Sequence, residues 1–151
     1  ISGPLDSYIL KARYHAYFNA LEKYGLEISE DYIGLGYYVS ESTRKYIPKL
    51  LEQGVTAILF SHDVRAISAI AEFDDRDIRI PDDISIVGFD DLPMTAYTTP
   101  PLTTVRQDRI ALGQCGFYAL SCLLNHVTIG SILLRAPLII RGSTGPAPRQ
   151  E

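Results

Sequence analysis

The chain has 151 residues, enough to bury one ordinary domain core, and its 46% hydrophobic and 21% charged residues exclude a disordered segment. A formal charge of -4 gives no electrostatic attraction to nucleic acid or to an anionic membrane surface. No apolar run approaches the roughly 20 residues that cross a bilayer, and the start lacks the basic region and apolar stretch of a signal peptide.

Ile1-Ser2-Gly3-Pro4 reads as the tail of a strand. Asp6 or Ser7 then caps a helix that runs to Tyr24 and stops at Gly25. Ala12, Ala16, Ala20 and Leu21 recur along it at helical spacing, which suits packing on a sheet. Residues 32–38 are the next strand, weakened by Gly34 and Gly36. A helix follows over 41–53, started by Ser40 or Ser42, and Pro48 kinks or splits it. After Gly54, VTAILF (55–60) is a strand with little polar character, and Ser61-His62-Asp63 stands at its carboxyl end, Asp63 as the cap of the next helix.

That helix carries Ala66, Ile67, Ala69, Ile70 and Phe73 on its apolar side, and Asp74-Asp75-Arg76-Asp77 is its solvated end, not a metal site. A turn at Pro81-Asp82-Asp83 leads into a strand over 84–87, which Gly88 ends. Asp90 and Asp91 follow at the strand tip, where parallel sheets line their ligand crevice. Pro100 and Pro101 force an extended connection into a strand over 102–105, which delivers Gln107 to the same rim. A helix over 110–124 comes next, despite Gly113 and Gly116, then short strands over 132–134 and 137–140. The alternation predicts an α/β fold: a three-layer parallel sheet with helices on both faces and right-handed crossovers. Cys115 and Cys122 are two helical turns apart, about 10 Å along the axis, too far for a disulfide. They are expected as buried free thiols.

IPDDISIVGFDD (80–91), YTTPPLTTVRQD (97–108) and the following Leu112-Gly113 closely resemble the effector-binding core of the lactose-repressor/galactose-repressor (LacI/GalR) family of bacterial transcription regulators. VGFDD alone is weak; joined to PPLTTV at this spacing it is specific, and the likeness runs from Ser2 to about Ser143. The resemblance implies a periplasmic-binding-protein-like type I fold, two-lobed in the complete protein. Residues 1–107 and 137–145 then belong to the carboxyl-terminal lobe, 108–136 cross a hinge into the amino-terminal lobe, and 146–151 are a tail. Most of the amino-terminal lobe and the DNA-binding headpiece are expected outside this chain. Without that cover the apolar side of 110–124 is an exposed patch that promotes association. The resemblance also implies a cytoplasmic homodimer, with residues 97–101 near the interface, no cofactor and no membrane contact. DNA is then engaged only through the headpiece.

On the same basis the effector, a sugar or sugar phosphate, meets a small set of side chains. Arg13 occupies the family's effector-contacting position on the first helix, and a guanidinium presents a planar fork of donors to ring oxygens and hydroxyls. Without the resemblance it reads as a surface arginine covering apolar area. Asp90 accepts from two neighbouring hydroxyls, and each such charged bond contributes roughly 1.5–3 kcal/mol. Asp91 fits a turn-capping role better. Gln107 both donates and accepts, as a hydroxyl requires, with a hinge hydrogen bond as its competing role. His62 departs from the asparagine usual there in sugar-binding relatives. It can bond a hydroxyl or respond to pH, or simply begin a helix. Leu59 or Phe60 offers an apolar wall. Asp6, Ser7 and Tyr8 lie in the segment that reads variable effector groups in relatives, and Ser7-Tyr8-Ile9 lacks the basic or amide side chains that a purine would favour.

Two other functions compete. A periplasmic sugar-binding protein of a transport system shares the two-lobed fold, but PPLTTVRQD favours the regulator. Catalysis would recruit Asp90-Asp91 as a magnesium or phosphoacceptor site or His62 and Asp63 as acid and base. The chain has no nucleophile elbow, metal-spaced histidine pair or phosphate loop, so no enzyme is expected.

Overall fold

Three short apolar runs pair in parallel to form the centre of the molecule. In the computed structural model, which describes residues 1–36 and 39–147, they are β1 (Ala57–Leu59), β2 (Ser85–Asp90) and β3 (Thr103–Arg106). Their register is Ile58 opposite Ile86 and Phe89 opposite Val105. A two-residue β4 (Leu138–Ile139) closes the order β1-β2-β3-β4. On the other side Ile1 and Ser2 extend the sheet: Ser61 N donates to Ile1 O at 3.0 Å, and Ser2 N donates to Gly34 O at 2.7 Å.

Alternation along the strands decides which helix covers which face. Ile58 and Phe60 point to the same side as Ile84 and Ile86, and there they meet Ile47 and Leu50 of α2 (Val39–Glu52) and Ala66, Ala69 and Phe73 of α3 (Asp63–Asp74). This is the core, and its members are almost fully buried. On the opposite face lies α1 (Tyr8–Lys23), with Arg13 above the ring of Phe89. The arrangement is a three-layer α/β sandwich.

Several expectations need correction. The sheet is mixed, because β4 runs antiparallel to β3, with Thr104 opposite Ile139. Residues 132–134 form no strand; Leu133 is 97% exposed, so nothing packs on the run to hold it extended. The strand expected over 32–38 reduces to a 3-10 turn at Glu30–Tyr32 and a single bridge from Leu35 to Ser2. Gly34 there leaves room for the Tyr46 ring, which gives packing in place of a ladder. Residues 37 and 38 of that run lie outside the described residues. Helix α2 begins ahead of Ser40 and Ser42, whose side chains also lie outside them, and it runs unbroken through Pro48. Gly25 and Gly54 do end helices, at φ 65 and 68.

Gly88 does not end its strand, which continues to Asp90. Its lack of a side chain serves packing: a Cβ there would collide with Oδ1 of Asp63 and lie 3.0 Å from Leu102 Cδ2. Asp63 is not the cap of α3 either. His62 holds the cap position, while the fully buried Asp63 carboxylate accepts from Leu92 N at 2.8 Å and from Thr104 Oγ1 at 2.5 Å. Gly88→Ala should therefore cost about 2–3 kcal/mol through overpacking, read as a lower urea midpoint; an unchanged midpoint would show that Asp63 can move aside freely.

Helix α4 (Arg109–Leu124) is capped by Asp108, whose Oδ1 accepts from Ala111 N at 2.9 Å, and it buries none of its residues. Ile110, Phe117 and Leu124 are each more than 70% exposed. Cys115 and Cys122, expected to be buried, are free and only half-buried because α4 leaves both in the open.

Candidate ligand-binding site

Parallel strands place all their carboxyl ends on one edge, so successive junctions converge there. Asp90 is the last residue of β2, His62 begins α3 after β1, Gln107 follows β3, and Arg13 sits in the second turn of α1. The four meet at the Asp90 carboxylate. Gln107 Nε2 donates to Oδ1 at 2.5 Å, and Arg13 Nη2 approaches the same oxygen at 3.9 Å. His62 Nδ1 lies 3.3 Å from Oδ2. Ser7 does not join them: it occupies the N-cap of α1, and its side chain makes no capping hydrogen bond. Asp6 and Tyr8 are exposed, Leu59 is half-exposed, and Phe60 belongs to the core.

Arg13 is held on three sides. Its Nη1 donates to the Ser61 carbonyl at 2.5 Å, and its guanidinium carbon lies 3.7 Å from the centroid of Phe89. Stacking of this kind fixes the plane of the donor fork. Burial lowers the Arg13 pKa from its ordinary value, and the nearby Asp90 opposes that shift. Phe89 was not foreseen, although alternation along β2 puts it on the α1 face beside Asp90.

The backbone at this tip is unusual. Asp90 has φ 117 and Asp91 has φ 54, conformations that non-glycine residues adopt at a cost of about 1–3 kcal/mol. Asp91 holds them in place by more than a turn cap. Its Oδ1 accepts from Arg141 Nη2 at 2.6 Å, and its Oδ2 accepts from Arg106 Nε at 2.5 Å. Arg141 also donates to Thr95 Oγ1 at 3.0 Å and to Leu102 O at 2.8 Å. Burial works against ionisation of Asp91; the hydrogen bonds from Arg141 and then Arg106 outweigh it and hold the carboxyl below the usual range. Arg141 is 50 residues away, and no local pattern announces the pairing.

This arrangement offers an anionic acceptor beside a cation, an amide and an imidazole, with an aromatic plane underneath. It suits a small molecule carrying adjacent hydroxyls. Among the described residues no group of three His, Cys, Asp or Glu side chains is placed to hold a metal ion, and no helix is long and apolar enough to cross a membrane.

Residues 3–144 match the family described as periplasmic binding protein-like domain. The HTH-type transcriptional repressor CytR of Escherichia coli K12 is 34% identical over 98% of this chain and 45% of its own length. A regulatory protein of the LacI family from Chloroflexus aggregans superposes with a TM-score of 0.86 at 34% identity, over 95% of this chain and 54% of that one. A sugar-binding LacI-family regulator from Escherichia coli, in complex with phosphate, superposes at 0.84 with 28% identity, over 95% and 53%. The chain thus spans less than half the length of the curated repressor that it matches. Sheet order and these likenesses agree: the chain belongs to the periplasmic binding protein-like domain family, and it is similar over nearly all its length to regulators of the LacI family.

Proposed function

We propose that the chain senses a polyhydroxylated small molecule, a sugar or sugar phosphate, on behalf of a transcription regulator, and that it does so without catalysis. The observation that carries this reading is the convergence of Arg13, His62 and Gln107 on the Asp90 carboxylate from three other elements. Asp90 takes two hydroxyls of the effector, Arg13 and Gln107 orient them, and His62 supplies a further donor or acceptor. Ser7, at the start of α1, is assigned to the effector's variable groups. The phosphate held by the Escherichia coli sugar-binding regulator supports an anionic variant of the same ligand class.

In this reading residues 1–107 and 137–145 form one lobe, and 108–136 cross to a second. The bare apolar surface of α4 supports that division. Effector binding between the lobes shifts the balance of two lobe arrangements, and a separate headpiece on DNA reads the shift. The protein works as a homodimer, with Tyr97, which is 87% exposed, at the interface. Repressor relatives favour this role over transport.

A thermal-shift panel of hexoses, hexose phosphates, nucleobases and amino acids tests the ligand class on the protein carrying both lobes. A ligand at a hundred times its Kd contributes about 2.7 kcal/mol, a rise of several degrees in Tm. The reading expects that rise from a hexose or its phosphate. A rise with nucleobases or amino acids alone would overturn it.

A further inference from the structure

His62 occupies the N-cap of α3, at φ -149 and ψ 146, yet its side chain makes no capping hydrogen bond. The ring is aimed at β2 instead, with Nδ1 3.3 Å from Asp90 Oδ2. A carboxylate at that distance selects the tautomer that carries its proton on Nδ1. The other nitrogen, Nε2, has no partner among the described residues, and the side chain is 40% exposed. On a neutral ring Nε2 accepts a hydrogen bond; on a protonated ring it is a charged donor. Histidine ordinarily makes that change between about pH 5 and 8.

The charged groups about the ring come from several elements. Strand β2 supplies Asp90, and α1 supplies Arg13, whose Nη2 lies 3.9 Å from Asp90 Oδ1. From the end of β3 the neighbour is the neutral Gln107, while Arg106 is engaged by Asp91. On α3 itself the Asp63 carboxylate is taken up by Leu92 N and Thr104 Oγ1, and Arg65 donates to Gly36 O. Asp90 and Arg13 cancel, so the cluster is neutral with a neutral ring and cationic with a protonated one. An uncharged diol gains nothing from that charge, because the imidazolium also tightens on Asp90 Oδ2 and contests the oxygen a hydroxyl needs. An anionic group gains a cationic donor at Nε2.

We propose that His62 couples the preferred charge of the ligand to protonation: the protonated site favours a ligand bearing an anionic group, and the neutral site an uncharged polyol. This rests on the polyol reading of Asp90, and the test separates the two. By linkage, an anion that prefers the protonated site takes up part of a proton as it binds.

The probes are glucose, galactose and mannose, each beside its uronic acid, whose carboxyl stays ionised throughout the range used. All are titrated calorimetrically into the protein carrying both lobes at about pH 5.5 and about pH 8. Uronate affinity is expected to rise about tenfold or more at the lower pH, while hexose affinity stays level or falls. Between about pH 6 and 7, uronate binding should show a heat that varies with the ionisation enthalpy of the buffer. His62→Asn keeps a residue suited to an N-cap but removes the titration, so both effects should vanish in it. His15→Asn, on the exposed side of α1, should leave both unchanged. Uronate affinity that does not rise, a rise shared equally by the hexoses, or a rise that survives His62→Asn overturns the proton link and leaves the polyol site standing. If no hexose or uronate binds at either pH, the inference fails, and the polyol reading fails with it where hexose phosphates are silent too.

Discussion

Asp90→Asn is expected to weaken effector binding by about a hundredfold or more while leaving the fold intact. Two charge-assisted hydrogen bonds from adjacent hydroxyls contribute roughly 1.5–3 kcal/mol each, and an amide offers one neutral acceptor in their place. The backbone argument points the same way. At φ 117 asparagine is accepted about as readily as aspartate, so the substitution removes the charge without adding strain. Gln107 and His62 can still pair with the amide, whereas Arg13 loses its counter-charge. Calorimetric titration with the sugar identified by thermal shift, alongside an unfolding curve, separates lost affinity from lost stability. An affinity within threefold of the parent protein would remove Asp90 from the site.

Asp91→Asn is expected to cost about 3 kcal/mol of stability, because it leaves Arg141 partly buried beside a neutral group. The side chain of Asp91 is 8% exposed and that of Arg141 18%, so this pair is little screened. Arg106 is half exposed and adds less. The sign of the pH dependence follows from the lowered folded-state pKa. A carboxylate that ionises more easily when folded adds stability above its unfolded value, near 3.8, and that stability is lost as pH falls through the lower folded value. Wild type and Asp91→Asn should therefore differ fully in urea midpoint at neutral pH, with the difference starting to shrink only as pH falls below about 3.8. A constant difference down to pH 2 would show that the ion pair is not its source. Under the proposed function the clamp should also affect binding, since Asp91 and Asp90 are the two adjacent positive-φ residues at the strand tip.

What the sequence disclosed depended on whether a residue's partner lay nearby. The β-branched run at 55–60 and the one at 84–87 announced β1 and β2, because strands buried on one face by α2 and α3 have to be apolar there. Helices α1 and α3 showed their periodicity and ended where their capping chemistry required. Gly88 was misread because a glycine after an apolar run resembles a strand terminator, while here it clears space for Asp63, 25 positions earlier in the chain. The direction of β4 depends on its pairing with Thr104 and Val105, more than 30 residues upstream, and nothing local encodes it. The run Ile132-Leu133-Leu134 has strand composition but no partner among the described residues, so it forms none.

The site divides in the same way. Asp90 could be placed at a strand tip from pattern alone, and Arg13 and Gln107 gained their roles through family likeness; all three do meet. His62, the departure from that likeness, faces the same carboxylate. Phe89 escaped notice because an aromatic in a strand reads as core, yet it supports Arg13 from below. Arg141 escaped because an arginine near the end of a chain carries no positional signal. Ser7 alone, of the five expected contacts, stands apart from the carboxylate cluster.

The most direct measurement is a crystal structure of the protein carrying both lobes with the hexose or hexose phosphate that gives the largest thermal shift. The account expects two adjacent sugar hydroxyls within about 3 Å of the Asp90 oxygens, with Arg13 still stacked on Phe89. A sugar bound elsewhere, with Asp90 still paired only to its own Gln107 and His62, would contradict it.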